Sequence, residues 1–138
     1  MLILFLVSVY LNFSFMQVFK SSFGVARHLD SSKYCVVSIS RRAPRNLDCV
    51  RCSSLAPSAE LLSEWNRGLS KEVYEKRYRA EIASIFDLHS VFESLAVYCK
   101  GRDMVLCCYE ADSKFCHRNI LASIVFEKWG YQIQELSC

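Results

Sequence analysis

The sequence predicts one small α/β domain, with a mainly parallel sheet and helices packed on its faces in three layers. Three observations carry this. The chain has 138 residues, the length of a single domain. Two short runs, "YCVVSIS" (34–40) and "DMVLCCY" (103–109), are apolar nearly throughout, as strands covered on both faces are. Between and after them lie longer segments with helical spacing and capping residues. Strands that alternate with helices pair in parallel through right-handed crossovers, which is a Rossmann-like plan.

Each element follows in order. "QVFKSSF" (17–23) is a short extended segment, and the apolar run 34–40 is a buried strand ending in Ser40, Arg41 and Arg42. Residues 43–57 read as loop, punctuated by Pro44 and Pro57. Ser58 caps a short helix to Trp65, with Gly68 just past its end, and Ser70 caps the next. There Tyr74, Tyr78, Ile82 and Ile85 form one stripe at helical spacing, which is a core contact. Asp87 caps a third helix, with Leu88, Val91, Phe92 and Leu95 inward and Gly101 stopping it. After the second buried strand, "CHRNILASIVFEKWG" (116–130) is an amphipathic helix closed by Lys128 and Gly130, and "YQIQEL" (131–136) is a last strand.

The first fifteen residues are apolar, but no basic residue precedes Lys20 and no Ala-x-Ala site follows, so the pattern is not that of a secretory signal. Asn12, Ser14 and Gln17 interrupt it, and a membrane helix needs roughly 20 apolar residues. Residues 1–15 are therefore read as a leader or a mis-assigned start before Met16, and 16–138 as the single domain. Association with a membrane is not expected unless 1–15 is retained as an anchor.

With 52% hydrophobic and 22% charged residues the chain is globular rather than disordered. The net charge is only +3, but it is uneven. Lys20 to Arg51 holds seven basic and two acidic residues, a surface that attracts an anionic small molecule or nucleic acid unless it is a solvated loop. The eight cysteines do not follow a compact disulfide framework, and several lie in apolar runs. That points to a reducing compartment, and so to the cytoplasm, with disulfides as the alternative.

In an open parallel sheet, ligands bind beyond the carboxyl ends of the strands. Two such ends carry polar, reactive groups: Ser40, Arg41 and Arg42, and Cys108, Tyr109 and Glu110. Strand alternation turns Cys108 and Glu110 to one face and Cys107 and Tyr109 to the other. A short loop then delivers Cys116 to a helix start, where unpaired amides favour an anion and hence a thiolate. His117 titrates near neutrality, Glu110 is a candidate base or orienting group, and Arg118 forks onto phosphate or carboxylate. The expected catalytic set is Cys108, Glu110, Cys116 and His117. The expected anion-binding set is Ser40, Arg41, Arg42 and Arg118. Each residue also has a plain role as packing or solvated surface.

A metal site is the alternative use of the same residues. Cys49-x-x-Cys52 has ligand-like spacing, and Cys108, Cys116 and His117 complete a possible zinc or iron site. Walker, G-x-G-x-x-G and H-E-x-x-H motifs are absent, which argues against the common nucleotide-binding and zinc-protease classes.

"LCCYEADSKFCHRNIL" (106–121) resembles the bacterial and phage proteins grouped as the domain of unknown function 488 family. Their signature is a strand ending Cys-x-Glu, a short loop, then Cys-His-Arg opening a helix. The matching residues are Cys108, Glu110, Cys116, His117 and Arg118. "VSISRRAPRNL" (37–47) is similar to the family's strand ending Ile-Ser-Arg before a Pro-containing loop. "LAPSAELL" (55–62), "YEKRY" (74–78) and "WGYQIQEL" (129–136) are weaker echoes. The leader, the Cys49–Cys52 pair and the doubled cysteine at 107 depart from the pattern. The resemblance spans about Met16 to Leu136 and implies a small α/β domain without supplying an activity. Two functions are carried forward. One is an enzyme acting on a phosphate-bearing or nucleic-acid-related substrate through the Cys/Glu/Cys-His-Arg site. The other is a non-catalytic metal- or nucleic-acid-binding module.

Overall fold

The computed structural model describes residues 16–110 and 115–137. The leader reading falls outside these residues, as does most of the 111–115 loop.

Five parallel strands form one sheet: β1 (Val18–Ser22), β2 (Tyr34–Ser38), β3 (Val50–Arg51), β4 (Asp103–Cys108) and β5 (Gln134–Glu135), in the spatial order β3-β2-β4-β1-β5. The α/β expectation with a parallel sheet therefore holds. The apolar run of β4 takes the central position, flanked by β2 and β1, and every residue from Met104 to Cys108 is buried. An all-apolar strand has no face to offer water, so the middle of the sheet is where it belongs.

The helices are α1 (Phe23–Ala26), α2 (Ala59–Asn66), α3 (Lys71–Ala83), α4 (Leu88–Cys99) and α5 (His117–Trp129). The two faces of the sheet are covered unequally. Val18, Cys35, Val37, Met104 and Leu106 pack with the buried stripes of α2 to α5. Val36, Val105 and Cys107 point the other way, to Phe23 and Ala26 of the one-turn α1 and to the loop residues Leu47 and Cys49. Among the described residues no single helix is long and apolar enough to cross a membrane.

The three capping residues read from the sequence act as caps. Ser58, Ser70 and Asp87 accept from the backbone N–H groups of Leu61, Val73 and Ser90 at 3.1, 3.3 and 3.2 Å. Ser58 does more than cap. Its N–H and its hydroxyl both donate to the Glu81 carboxylate, at 2.8 and 2.5 Å, which ties the start of α2 to the end of α3. Ser58→Ala is expected to cost about 1 to 2 kcal/mol in urea denaturation, since the cap and the charge-assisted bond go together. Glu81→Gln, which keeps the cap, is expected to cost less; equal costs would show that the tie to Glu81 dominates.

The structure departs from the expectations at the weakest elements. The loop 43–57 contains β3 and a 3-10 turn over Ser53–Leu55. β3 pairs only Val37 with Val50 and Ser38 with Arg51, too short a match for any periodicity. The last strand contracts to Gln134–Glu135, and Phe23–Ala26 is a helical turn capped by Ser22. Helix α4 ends at Lys100 in the left-handed region (φ 54°), one residue before Gly101 at φ 83°. A non-glycine residue there costs roughly 1 to 2 kcal/mol. Arg102 offsets part of this, because its backbone N–H and its Nε both donate to the Cys99 carbonyl, at 3.1 and 2.9 Å.

Candidate active site

The central strand and the longest C-terminal helix build the site. β4 runs out at Cys108, and Tyr109 and Glu110 follow beyond the sheet edge. Cys116 is the N-cap residue of α5, and its side chain makes no capping bond. Its sulfur is therefore left for other partners. It is bonded to the Cys108 sulfur in a disulfide, and it also lies 3.4 Å from Glu110 Oε2 and 3.7 Å from His117 Nδ1. Cys108, Glu110, Cys116 and His117 are thus brought together. In the reduced state the Cys116 thiol faces two acceptors and a second sulfur.

His117 has a defined tautomer. Its Nε2 is 2.6 Å from the carbonyl oxygen of Ile39. A carbonyl only accepts, so Nε2 carries the proton and Nδ1 presents its lone pair to Cys116. The ring is 6% exposed and packs edge-on against Tyr78 at 5.5 Å between centroids. Burial, with a smaller push from the Arg118 charge, brings its pKa down to about 4 against the opposing bond to Ile39. His117 is neutral at physiological pH, a lone-pair donor rather than a cation.

Arg118 occupies the other side of the helix start. The sequence reading placed it among the anion-binding residues, but it is 1% exposed and does not line the cleft described below. Its guanidinium donates to both oxygens of Glu135 (3.3 and 3.0 Å), to the Glu110 carbonyl (2.7 Å) and to the Cys108 sulfur (2.9 Å). Glu135 in turn meets Lys20 at 3.0 Å. One buried cation thus binds β4, β5 and α5 together. Its N–H aimed at sulfur stabilises negative charge on Cys108.

A cleft of about 580 Å³ opens over this cluster, within the size range of small-molecule sites. Ser40, Arg41 and Arg42 from the end of β2 line it together with Tyr109, Glu110, Cys116 and His117. Arg41 and Arg42 are exposed and form no salt bridge among the described residues. Cys108 lies behind Cys116, fully buried and away from the cleft wall.

The sequence reading missed two parts. Part of the cleft lining is aromatic: Trp65, Tyr74 and Phe115 pack on one another with centroids 4.9, 5.3 and 5.6 Å apart. Glu135 and Lys20, which hold Arg118, were also missed. The segments "YEKRY" and "WGYQIQEL" contain Tyr74 and Glu135, so a signal was present in both cases.

The metal-ligand set of five does not assemble. Among the described residues the group that offers ligand atoms all within 4.8 Å of one another is Cys108, Cys116 and His117. Cys49 packs with the opposite face of the sheet, whereas Cys52 belongs to the main core. Among the described residues the remaining thiols, Cys35, Cys49, Cys52, Cys99 and Cys107, lie outside the cleft. Burial raises Cys49 and Cys52, and pushes Cys107 up to about 12. Cys35 and Cys99 share a hydrogen bond that raises Cys99 and lowers Cys35, but Cys35 is only 2% exposed.

A family model described as the active DUF488-N3 subclade, DUF488-N3a, matches residues 24–129. The chain belongs to the DUF488 family. The match includes Ser40–Arg42, Cys108–Glu110 and Cys116–Arg118, so the whole floor of the cleft is family sequence. No curated protein and no solved structure matches the chain.

Proposed function

We propose that this DUF488 protein is a cysteine-dependent enzyme acting on an anionic substrate in the cleft. The carrying observation is the placement of the Cys116 sulfur. It lies on the cleft wall and at an α-helix N-terminus, beside the lone pair of His117 and in bonding reach of Cys108. Cys116 is the nucleophile. His117 Nδ1 or Glu110 takes its proton, and α5 amides favour the thiolate. Arg41 and Arg42 hold the substrate's phosphate or carboxylate at the rim. Cys108, facing the Arg118 guanidinium, is the resolving thiol.

The chemistry balances as a two-electron exchange. The Cys116 thiolate attacks an oxidised electrophilic atom of the substrate, such as a disulfide sulfur, which makes the substrate the two-electron oxidant. The bond from that atom to its leaving group breaks, and the leaving group departs with the electron pair and a proton. Attack of Cys108 on the Cys116 sulfur then breaks the new bond between Cys116 and the substrate atom, closes the Cys108–Cys116 disulfide and leaves the remaining substrate fragment with the electron pair and a proton. An external thiol reductant restores the pair.

Iodoacetamide labelling of the reduced protein tests this reading. Cys116 is expected to react at least tenfold faster than Cys49, Cys52 or the core thiols at pH 7, and to be protected once the Cys108–Cys116 disulfide has formed. Uniformly slow labelling of all cysteines would rule Cys116 out as the nucleophile.

A second reading rests on the same trio. Two thiolates and the His117 Nδ1 lone pair are a zinc- or iron-type donor set, with the cleft side left for a fourth ligand. The metal would supply Lewis acidity, or would only brace the helix start as part of a binding module. Metal analysis of protein purified under reducing conditions separates the two readings. One equivalent of zinc or iron that is lost in Cys116→Ser supports the metal centre, and a metal-free protein with a fast-labelling Cys116 supports the thiol enzyme.

A further inference from the structure

The cleft has more recognition chemistry than an anion alone requires. Part of its lining is an aromatic cluster of Trp65, Tyr74 and Phe115, supplied by α2, α3 and the residue before the Cys116 cap. Trp65 and Phe115 are only partly buried, so part of their ring area faces the cleft. Tyr74 is 3% exposed and lines the cleft, yet its hydroxyl makes no hydrogen bond among the described residues. Tyr78, one turn on, spends its own hydroxyl on the Leu55 carbonyl at 2.7 Å. A fully buried hydroxyl without a partner is costly, but the Tyr74 hydroxyl is not fully buried. Among the described residues the fully buried polar side-chain atom without a partner is His89 Nε2. The Tyr74 hydroxyl is open to the cleft, where it can donate to a ligand. Burial and the Glu110 charge hold the Tyr74 phenol in its protonated form. The Glu110 carboxylate is an acceptor on the same cleft.

We infer that the cleft recognises a nucleotide unit, with its base against the Trp65–Phe115 surface, its edge read by Tyr74 and Glu110, and its phosphate at Arg41 and Arg42. The rings are tilted to one another, Trp65 and Phe115 by 37°, so a single exposed ring face rather than the whole cluster receives a planar group, and base–aromatic stacking works through a face that every base possesses. A donor and an acceptor beside that ring match the polar edge of a base. The two exposed arginines at the rim match the phosphate in charge and fork geometry. A sugar phosphate or free phosphate uses the rim and leaves the aromatic cluster and the Tyr74 hydroxyl unsatisfied. The inference rests on the cleft being the substrate site, and it names the class of substrate. A free nucleotide and an unstacked nucleotide of a single strand share this chemistry.

Calorimetric titration of Cys116→Ser, which has lost the proposed nucleophile, tests binding apart from catalysis. The probes are the four common nucleoside 5′-monophosphates, ribose 5-phosphate, inorganic phosphate and a short single-stranded oligonucleotide. At least one nucleoside monophosphate is expected to bind tenfold or more tightly than ribose 5-phosphate or phosphate. Trp65→Ala is expected to lose that margin, and Tyr74→Phe, which removes one oxygen and keeps the ring, to lose severalfold with the fold intact by circular dichroism. Tighter binding of the oligonucleotide than of any monophosphate identifies a strand as the source, and the reverse identifies a free nucleotide. Ribose 5-phosphate binding as well as the nucleotides, or Tyr74→Phe binding as the parent does, overturns the inference. So does a lack of binding by every nucleotide probe at millimolar concentration. If Cys116 labels fast and no nucleotide binds, only the substrate class falls; if nucleotides bind and Cys116 labels slowly, only the thiol mechanism falls.

Discussion

Arg118→Met is expected to destabilise the reduced domain by about 3 to 5 kcal/mol in urea denaturation, the usual cost of deleting one partner of a buried ion pair. The reason is the number of acceptors that depend on one guanidinium: two oxygens of Glu135, the Glu110 carbonyl and the Cys108 sulfur. With the arginine gone, Glu135 keeps Lys20, but the Cys108 sulfur at the end of β4 and the Glu110 carbonyl just beyond it lose their donor. Arg118→Lys is expected to recover only part of the loss, because a point-like ammonium cannot serve three elements at once. The double variant Arg118→Met/Glu135→Met is expected to be more stable than the sum of the single costs predicts, with a coupling of about 1 to 3 kcal/mol. A cost below about 1 kcal/mol for Arg118→Met, or strict additivity, would show that the network does not hold the sheet edge together.

That network also shows where reading the sequence stops. Strands 34–38 and 103–108 were legible because they are buried on both faces and therefore apolar throughout. The helices α2, α3 and α4 were legible because Ser58, Ser70 and Asp87 cap them locally. β3 was not, since a pairing of two residues leaves no period and is decided by the neighbouring strand; β5 was read in its place, but over a longer range than the two residues that pair. The approach of Cys116 to Cys108 and Glu110 followed from topology: a strand end, a short loop and a helix start have little room to separate. The direction of Arg118 did not follow. Its neighbour His117 faces the cleft while Arg118 turns about 100° around the helix axis, toward a carboxylate 17 residues further on. The partner that decides this, Glu135, is on the last strand, whose place was legible but whose register against Lys20 was not. Tyr74 was read as core, which it is, but its hydroxyl also faces the cleft, and helical periodicity reports only the buried face.

The pH dependence of stability is the second large expected effect, and its sign follows from His117. In the unfolded chain this histidine titrates near 6.5, whereas in the fold burial holds it at about 4. Between these values the unfolded state binds a proton that the folded state refuses, so acid favours unfolding. The stabilisation from keeping His117 neutral is complete above pH 6.5, falls as pH drops through the window from 6.5 to 4, and stops changing below 4. A difference of this size corresponds to about 3 kcal/mol. Carboxylates titrate in part of the same range, so the quantity to measure is the difference between the parent and His117→Gln, both reduced and metal-free. The parent is expected to lose about 3 kcal/mol more than the variant on going from pH 7 to pH 4. The groups that meet the ring account for the resistance to protonation. Burial, the apolar Tyr78 ring and the nearby Arg118 charge disfavour a cation, and together they outweigh the bond to the Ile39 carbonyl, which favours the protonated ring. Among the described residues the Cys116 sulfur, at 3.7 Å, faces Nδ1. A neutral ring through this range also means that the alkylation rate of Cys116 carries no inflection near pH 6.5. An inflection there, or a ring-nitrogen titration of His117 near 6.5 by NMR, would show that the imidazole is open to water and that the proposed lone pair toward Cys116 is not maintained.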